Sequence, residues 1–154
     1  MAHLRRYLLE GYCYHVISVT RGRRPVLRTP QNANVVADAL QFVRNRAFVL
    51  AFVVMPDHFH ALVSPRAGES LPKIMQSVKG YSARVVNAAG STAAPVWQQS
   101  YYDRVIRDEL QLWETIEYIH RNPVEAGLVA SVGEYPFSSA FPGVTTDLEE
   151  FLGA

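Results

Sequence analysis

The chain carries a single cysteine, Cys13, among its 154 residues. One thiol cannot close an internal disulfide, so neither export to an oxidising compartment nor a disulfide framework is indicated. Long apolar runs are missing too. No stretch approaches the roughly 18 uninterrupted apolar residues of a membrane span, and the opening Met-Ala-His-Leu-Arg-Arg-Tyr lacks the hydrophobic segment of a secretion signal. A cytoplasmic protein with no membrane partner is the expectation. Net charge is scarce: 15 Lys and Arg against 14 Asp and Glu leave +1, too little for overall charge to argue for a nucleic-acid partner. What remains is a globular composition, 49% hydrophobic and 19% charged, of a length that suits one domain over residues 1–154.

The distribution of charge says more than its sum. Arg5, Arg6, Arg21, Arg23, Arg24 and Arg28 crowd the front of the chain with Glu10 as the one acid among them, whereas Asp147, Glu149 and Glu150 make the end acidic. A basic front is an electrostatic handle for phosphates; the bland alternative is a solvated loop at the front and an acidic tail at the end.

Periodicity divides the chain. Residues 12–20, aromatic and β-branched, read as a strand, closed by the turn residues Arg21-Gly22-Arg23-Arg24-Pro25. Thr29-Pro30 resembles a helix start, and residues 34–45 have helical apolar spacing. Residues 48–55 and 58–64 are two strands joined across Pro56-Asp57, so they pair antiparallel. Ser70 caps a helix over residues 71–89, small residues fill 90–95, a fourth strand covers 101–107, and Asp108 caps a third helix ending near Pro123. Strand, helix, strand, strand, helix, strand is the split βαβ order. The fold class is therefore α+β, a ferredoxin-like antiparallel sheet with two helices on one face and the third helix beside or across the other. The residues after 126 form an irregular coat.

Two short motifs carry chemistry. In His58-Phe59-His60 the strand period of two puts both imidazoles on one face, a ready pair of metal ligands, while Phe59 points to the opposite side. A pair of surface histidines is the bland alternative; cupins and barrel hydrolases, which share such pairs, do not fit the helical content and length. In the third helix Tyr118 and Asn122 are one turn apart on one face. A phenol ionises only near pH 10, so as a nucleophile Tyr118 needs a cation polarising the phosphate it attacks. Asn122 adds an oxygen ligand, making a neutral set of two imidazoles and one amide that leaves the ion's charge uncancelled. The bland alternative is a packing tyrosine followed by an Asn-Pro helix stop. His120 lies off this face and reads as structural or DNA-facing. Tyr81 is a rival nucleophile but has Val85, not an oxygen ligand, one turn on.

The segments 54–63 (Val-Met-Pro-Asp-His-Phe-His-Ala-Leu-Val), Ser77-Val78-Lys79-Gly80-Tyr81, Tyr102-Asp103-Arg104-Val105-Ile106-Arg107-Asp108 and 117–129 (Glu-Tyr-Ile-His-Arg-Asn-Pro-Val-Glu-Ala-Gly-Leu-Val) together resemble the REP-associated tyrosine transposases. These are relatives of the single-strand insertion-sequence transposases with one tyrosine and a His-hydrophobic-His motif. The match runs in order over nearly the whole chain, from Gly22-Arg23-Arg24-Pro25 to Tyr135-Pro136-Phe137-Ser138-Ser139. The resemblance implies a ferredoxin-like fold, His58 and His60 as metal pair, Asn122 as third ligand and Tyr118 as nucleophile. It implies magnesium or manganese as cofactor, and single-stranded DNA beside repetitive extragenic palindromic (REP) hairpins as substrate, cut through a 5′-phosphotyrosine link. Imidazole ligands favour manganese over magnesium. A monomer is the expectation over a dimer, with no protein partner evident.

Single-stranded DNA takes a cationic groove with aromatic platforms. The candidates for phosphate contact are Arg5, Arg6, Arg23, Arg24, Lys79, Arg84, Arg104, Arg107 and Arg121; those for base stacking are Trp97, Tyr101 and Tyr102. Two rival functions stand beside this one. One is a catalytically idle hairpin-binding module, which leaves the nucleophile without a use. The other is a metalloenzyme acting on something other than nucleic acid, which leaves the basic front unexplained.

Overall fold

The computed structural model describes residues 2–90 and 94–153. Its helices are α1 (Ala2–Leu9), α2 (Pro30–Phe42), α3 (Leu71–Ala89), α4 (Glu109–Glu125) and α5 (Leu148–Gly153), and its strands are β1 (Tyr14–Val19), β2 (Ala47–Met55), β3 (His58–Pro65) and β4 (Tyr102–Val105). The strands form one antiparallel sheet in the order β2-β3-β1-β4. That is the ferredoxin-like arrangement expected from the element order.

Local chemistry sets the helix starts. The side chains of Thr29, Ser70 and Asp108 accept from Asn32 N, Lys73 N and Gln111 N, satisfying orphan donors in the first turns of α2, α3 and α4. α2 starts at Pro30, earlier than the apolar spacing alone indicates, because the cap at Thr29 and the proline after it are themselves helix-starting. α4 runs through Pro123 to Glu125. β4 is shorter than expected, and the residues 91–93 of the small-residue stretch lie outside the described residues.

The sheet separates two apolar layers. Val16, Phe52, Val54, Phe59, Ala61 and Val63 meet α2 and α3 through Val36, Leu40, Ile74, Met75 and Val78. On the other side Ala51, Val53, Met55 and Leu62 meet Leu112, Ile116 and Ile119 of α4, with Leu4 and Leu8 of α1 and Phe151 of α5. α1 escapes the sequence reading because, among its described side chains, only the i, i+4 pair Leu4 and Leu8 is buried.

β2 is buried along its whole length. Its outer edge is closed by the C-terminal coat: Val54 N donates to Phe137 O at 2.8 Å, Ser139 N to Phe52 O at 2.9 Å and Asp147 N to Val49 O at 2.9 Å. This corrects the reading of the chain's end as a solvated acidic tail. Asp147 is 4% exposed, accepts from Val49 N at 2.9 Å and from Arg44 Nη2 at 2.8 Å, and so clasps the coat to β2. No helix among the described residues is long and apolar enough to cross a membrane.

Candidate active site

The β2–β3 turn, Pro56-Asp57, is held from outside by the segment after β1. Thr20 N and Leu27 N donate to Asp57 O and Pro56 O, each at 2.9 Å, and Thr20 Oγ1 donates to Asp57 O at 3.1 Å and Arg24 O at 2.7 Å. With the turn pinned, β3 enters the sheet with His58 opposite Val19 and His60 opposite Ile17. Both histidines point to the α4 side, while Phe59, on the α2–α3 side, packs edge-on against Trp97 at 5.4 Å.

The histidines do not sit on an open sheet face. His60 is 3% exposed, roofed by α4, whose Asn122 and Tyr118 hang over it. Asn122 Nδ2 lies 3.3 Å from His60 Nε2. The Tyr118 and His60 rings are 5.5 Å apart, and those of His58 and His60 5.0 Å apart. Tyr118 itself stays 56% exposed. It forms a wall of a groove of about 350 Å³ with His15, Ile17, Tyr102, Asp103 and Arg104. The helical stagger and the strand stagger thus bring His58, His60, Tyr118 and Asn122 to one place.

Each imidazole has its Nδ1 occupied. His58 Nδ1 is 2.7 Å from Asp57 Oδ1, a carboxylate that accepts the proton and leaves Nε2 as the free ring nitrogen. His60 Nδ1 is 2.9 Å from Nε2 of His15. Burial holds His60 at about 3, with His58 and His15 adding to the effect. Burial also holds His15 at about 4, with the positive charge of Arg104 adding to it. His15 and His60 are therefore neutral at pH 7, the state a metal ligand requires. Among the described residues no three His, Cys, Asp or Glu side chains gather as a metal site. The available donor set is two imidazoles and an amide, and half a turn of the Asn122 amide puts Oδ1 where Nδ2 now faces His60. Such a set fits a divalent ion that keeps open positions, and suits manganese better than magnesium.

A family model described as transposase IS200-like matches residues 9–122. The chain belongs to this family. It is 28% identical over 141 residues to the REP-associated tyrosine transposase of Escherichia coli (strain K12), covering 90% of this chain and 82% of that protein. It is similar to the solved structure of a REP-associated tyrosine transposase bound to a REP hairpin, with a TM-score of 0.70 and 26% identity, covering 84% of this chain and 76% of that one. An enzyme of the transposase kind is what these relatives support.

Within this IS200-like chain the other sequence candidates separate. Tyr81 lies on α3, across the sheet from the histidines, with its ring 5.5 Å from Phe42. His120 is 2.7 Å from Ser139 Oγ and holds the coat. Trp97 is not available for stacking: it is buried, with Nε1 donating to Ser82 Oγ at 3.0 Å. Tyr102 is 65% exposed. Tyr101 is half-buried beside the core under α2 and α3, below the Lys79 ammonium at 5.8 Å.

The cationic candidates divide the same way. Arg104 lines the groove and its Nη2 reaches Thr115 Oγ1 at 3.4 Å. Arg23 stands at the other side of the histidines, with Nη1 3.5 Å from Asp57 Oδ2. Its φ of 52° follows a φ of 66° at Gly22, a left-handed pair that a non-glycine residue rarely joins and that the Thr20 bonds hold in place. Arg24 is committed to the carbonyls of Arg21 and Pro95, and Lys79 Nζ donates to those of Gln98, Gln99 and Ser100. Arg5, Arg84 and Arg107 are exposed away from the groove. Arg6 pairs with Glu10 at 3.2 Å, and Arg121 with Glu125 at 3.5 Å on the solvent side of α4.

His15 and the Asp57–His58 pair escaped the sequence reading. A lone histidine in an apolar strand reads as core, and only the β1–β3 register reveals its neighbour.

Proposed function

We propose that this chain cuts and rejoins single-stranded DNA next to REP-like hairpins, with Tyr118 as nucleophile and a divalent cation held by His58, His60 and Asn122. The observation that carries the reading is the meeting of an exposed phenol with a buried, neutral imidazole–amide pair at the edge of an open groove. A bound manganese or magnesium ion would supply Lewis-acid stabilisation of the charge that builds on the phosphoryl oxygens.

The chain's own residues supply the rest. Tyr118 Oη bonds to phosphorus as the bond from phosphorus to the 3′ oxygen breaks, leaving a 5′-phosphotyrosine link and a 3′-hydroxyl. The phenol's proton leaves to solvent through the groove, and the departing 3′ oxygen takes one up. Rejoining is the same step reversed, with a 3′-hydroxyl of the same or another strand attacking the phosphotyrosine. Arg104, beside Tyr118, is placed to neutralise a neighbouring phosphate, and the exposed Tyr102 ring offers a stacking surface for an unpaired base. The hairpin substrate is carried over from the similar REP-associated tyrosine transposase, whose structure holds a REP hairpin.

The test uses labelled single strands carrying REP hairpins, incubated with manganese and either the native protein or Tyr118→Phe. A covalent protein–DNA adduct that requires both metal and Tyr118 is expected. Hairpin binding without an adduct, across several repeats and metals, would replace this reading with a binding module.

A further inference from the structure

We infer that His15 is a positioning residue of the site: its Nε2 accepts the Nδ1 proton of His60 and so locks the His60 ring with a bare Nε2 turned toward Asn122. The inference rests on the cation reading above and adds a residue to it.

The cation reading sets the direction. A ring nitrogen that takes a metal ion carries no proton, so His60 Nε2, which faces the Asn122 amide at 3.3 Å, is the bare one. The proton of the neutral His60 ring is then on Nδ1 and is donated to His15 Nε2 at 2.9 Å. The ring planes are 25° apart with centroids at 5.1 Å, close to the 2.9 Å bond plus the two ring radii, so the rings meet edge to edge, the in-plane geometry of a ring N–H···N bond. Strand register explains the meeting. Ile17 lies opposite His60 and His15 opposite Leu62, which makes His15 the diagonal neighbour of His60 on the α4 side.

The choice of side chain has a physical reason. His58 has a carboxylate behind it, Asp57, at the half-buried turn. His60 lies deeper, and a second carboxylate there would bury another negative charge and cancel part of the cation's field. An imidazole supplies the acceptor without that charge. The partner behind a metal-bound histidine fixes its tautomer and ring orientation, and its loss costs about 10- to 100-fold in metal affinity.

The experiment compares the full-length native protein with His15→Leu, which fills the space without an acceptor, and His15→Gln, whose amide oxygen can accept. Two readouts are taken without DNA: manganese affinity by calorimetry, and the His60 tautomer of the metal-free protein from ¹⁵N–¹H correlation spectra of its ring nitrogens. We expect His15→Leu to lose the single Nδ1–H tautomer and to weaken manganese binding about tenfold or more, with His15→Gln restoring most of both. An unchanged tautomer and unchanged affinity in His15→Leu would overturn the inference. So would an unchanged affinity combined with a shifted pH profile of cleavage, which would mark His15 as a proton acceptor instead. If the native protein binds no manganese, or binds it equally after His60→Leu, the cation reading fails, and the tautomer spectra still decide whether His15 sets the His60 ring.

Discussion

One strand, β3, serves two unlike regions. Toward α2 and α3 it presents Phe59, Ala61 and Val63, which vanish into an apolar core; toward α4 it presents His58 and His60, which keep polar neighbours and an open groove beside them. Alternate residues of one segment thus hold the fold and line the candidate site. Burial alone does not distinguish them, since Phe59 and His60 are both nearly inaccessible. The difference lies in what the buried atoms meet: close-packed carbon on one side, and hydrogen-bond partners chosen to leave one nitrogen free on the other.

This contrast yields ordered predictions. Phe59→Ala, which empties a fully buried ring site, should cost about 3–5 kcal/mol of unfolding free energy, read by urea denaturation. His60→Leu, which leaves His15 Nε2 and Asn122 Nδ2 without their partner, should cost less, about 1–3 kcal/mol, yet it should abolish the covalent adduct. Equal destabilisation by the two would break the comparison.

The aromatic residues sharpen it further. Tyr102→Ala should weaken single-strand binding by about 1–3 kcal/mol with little effect on the melting temperature. Trp97→Phe, which strips the donor from Ser82, should cost about 1–2 kcal/mol of stability and leave strand affinity unchanged, as fluorescence anisotropy would show.

The two faces should also differ in acid. In the metal-free protein His15 and His60 titrate at about 4 and about 3, below their ordinary value of 6.5. The unfolded chain therefore takes up protons first. The stability tied to their neutral forms is intact above pH 6.5 and falls as pH drops from there toward 4 and then 3. A double His15→Leu, His60→Leu variant should show a flatter stability-against-pH curve over that window, and an unchanged curve would contradict the assignment.

The smallest effect concerns charge. Arg104→Gln should lower the slope of log affinity against log salt by about 0.7, the share of one phosphate contact on a single strand. Arg24→Gln should leave that slope alone, since its guanidinium is spent on the Pro95 and Arg21 carbonyls.

Much of this was legible in the sequence because it depends on short periods. The two-residue period of a strand placed His58 and His60 together, the helical turn placed Tyr118 with Asn122, and the order of elements gave the sheet. What escaped depends on distant partners. The role of His15 needs the β1–β3 register. Trp97 reads as a stacking residue until Ser82 and Phe59 are found around it. Lys79 and Arg24 read as phosphate contacts until loop carbonyls are found on their charges. Asp147 reads as tail until Arg44, 103 positions earlier, is found against it.

The most direct measurement is to map the covalent adduct. Native protein incubated with manganese and a hairpin-bearing single strand would be digested with nuclease and trypsin, and the modified peptide sequenced by mass spectrometry. The nucleotide should sit on Tyr118, in the tryptic peptide covering residues 108–121 and joined through a 5′ phosphate. Attachment at Tyr81 or Tyr102, or an adduct that persists in Tyr118→Phe, would contradict it.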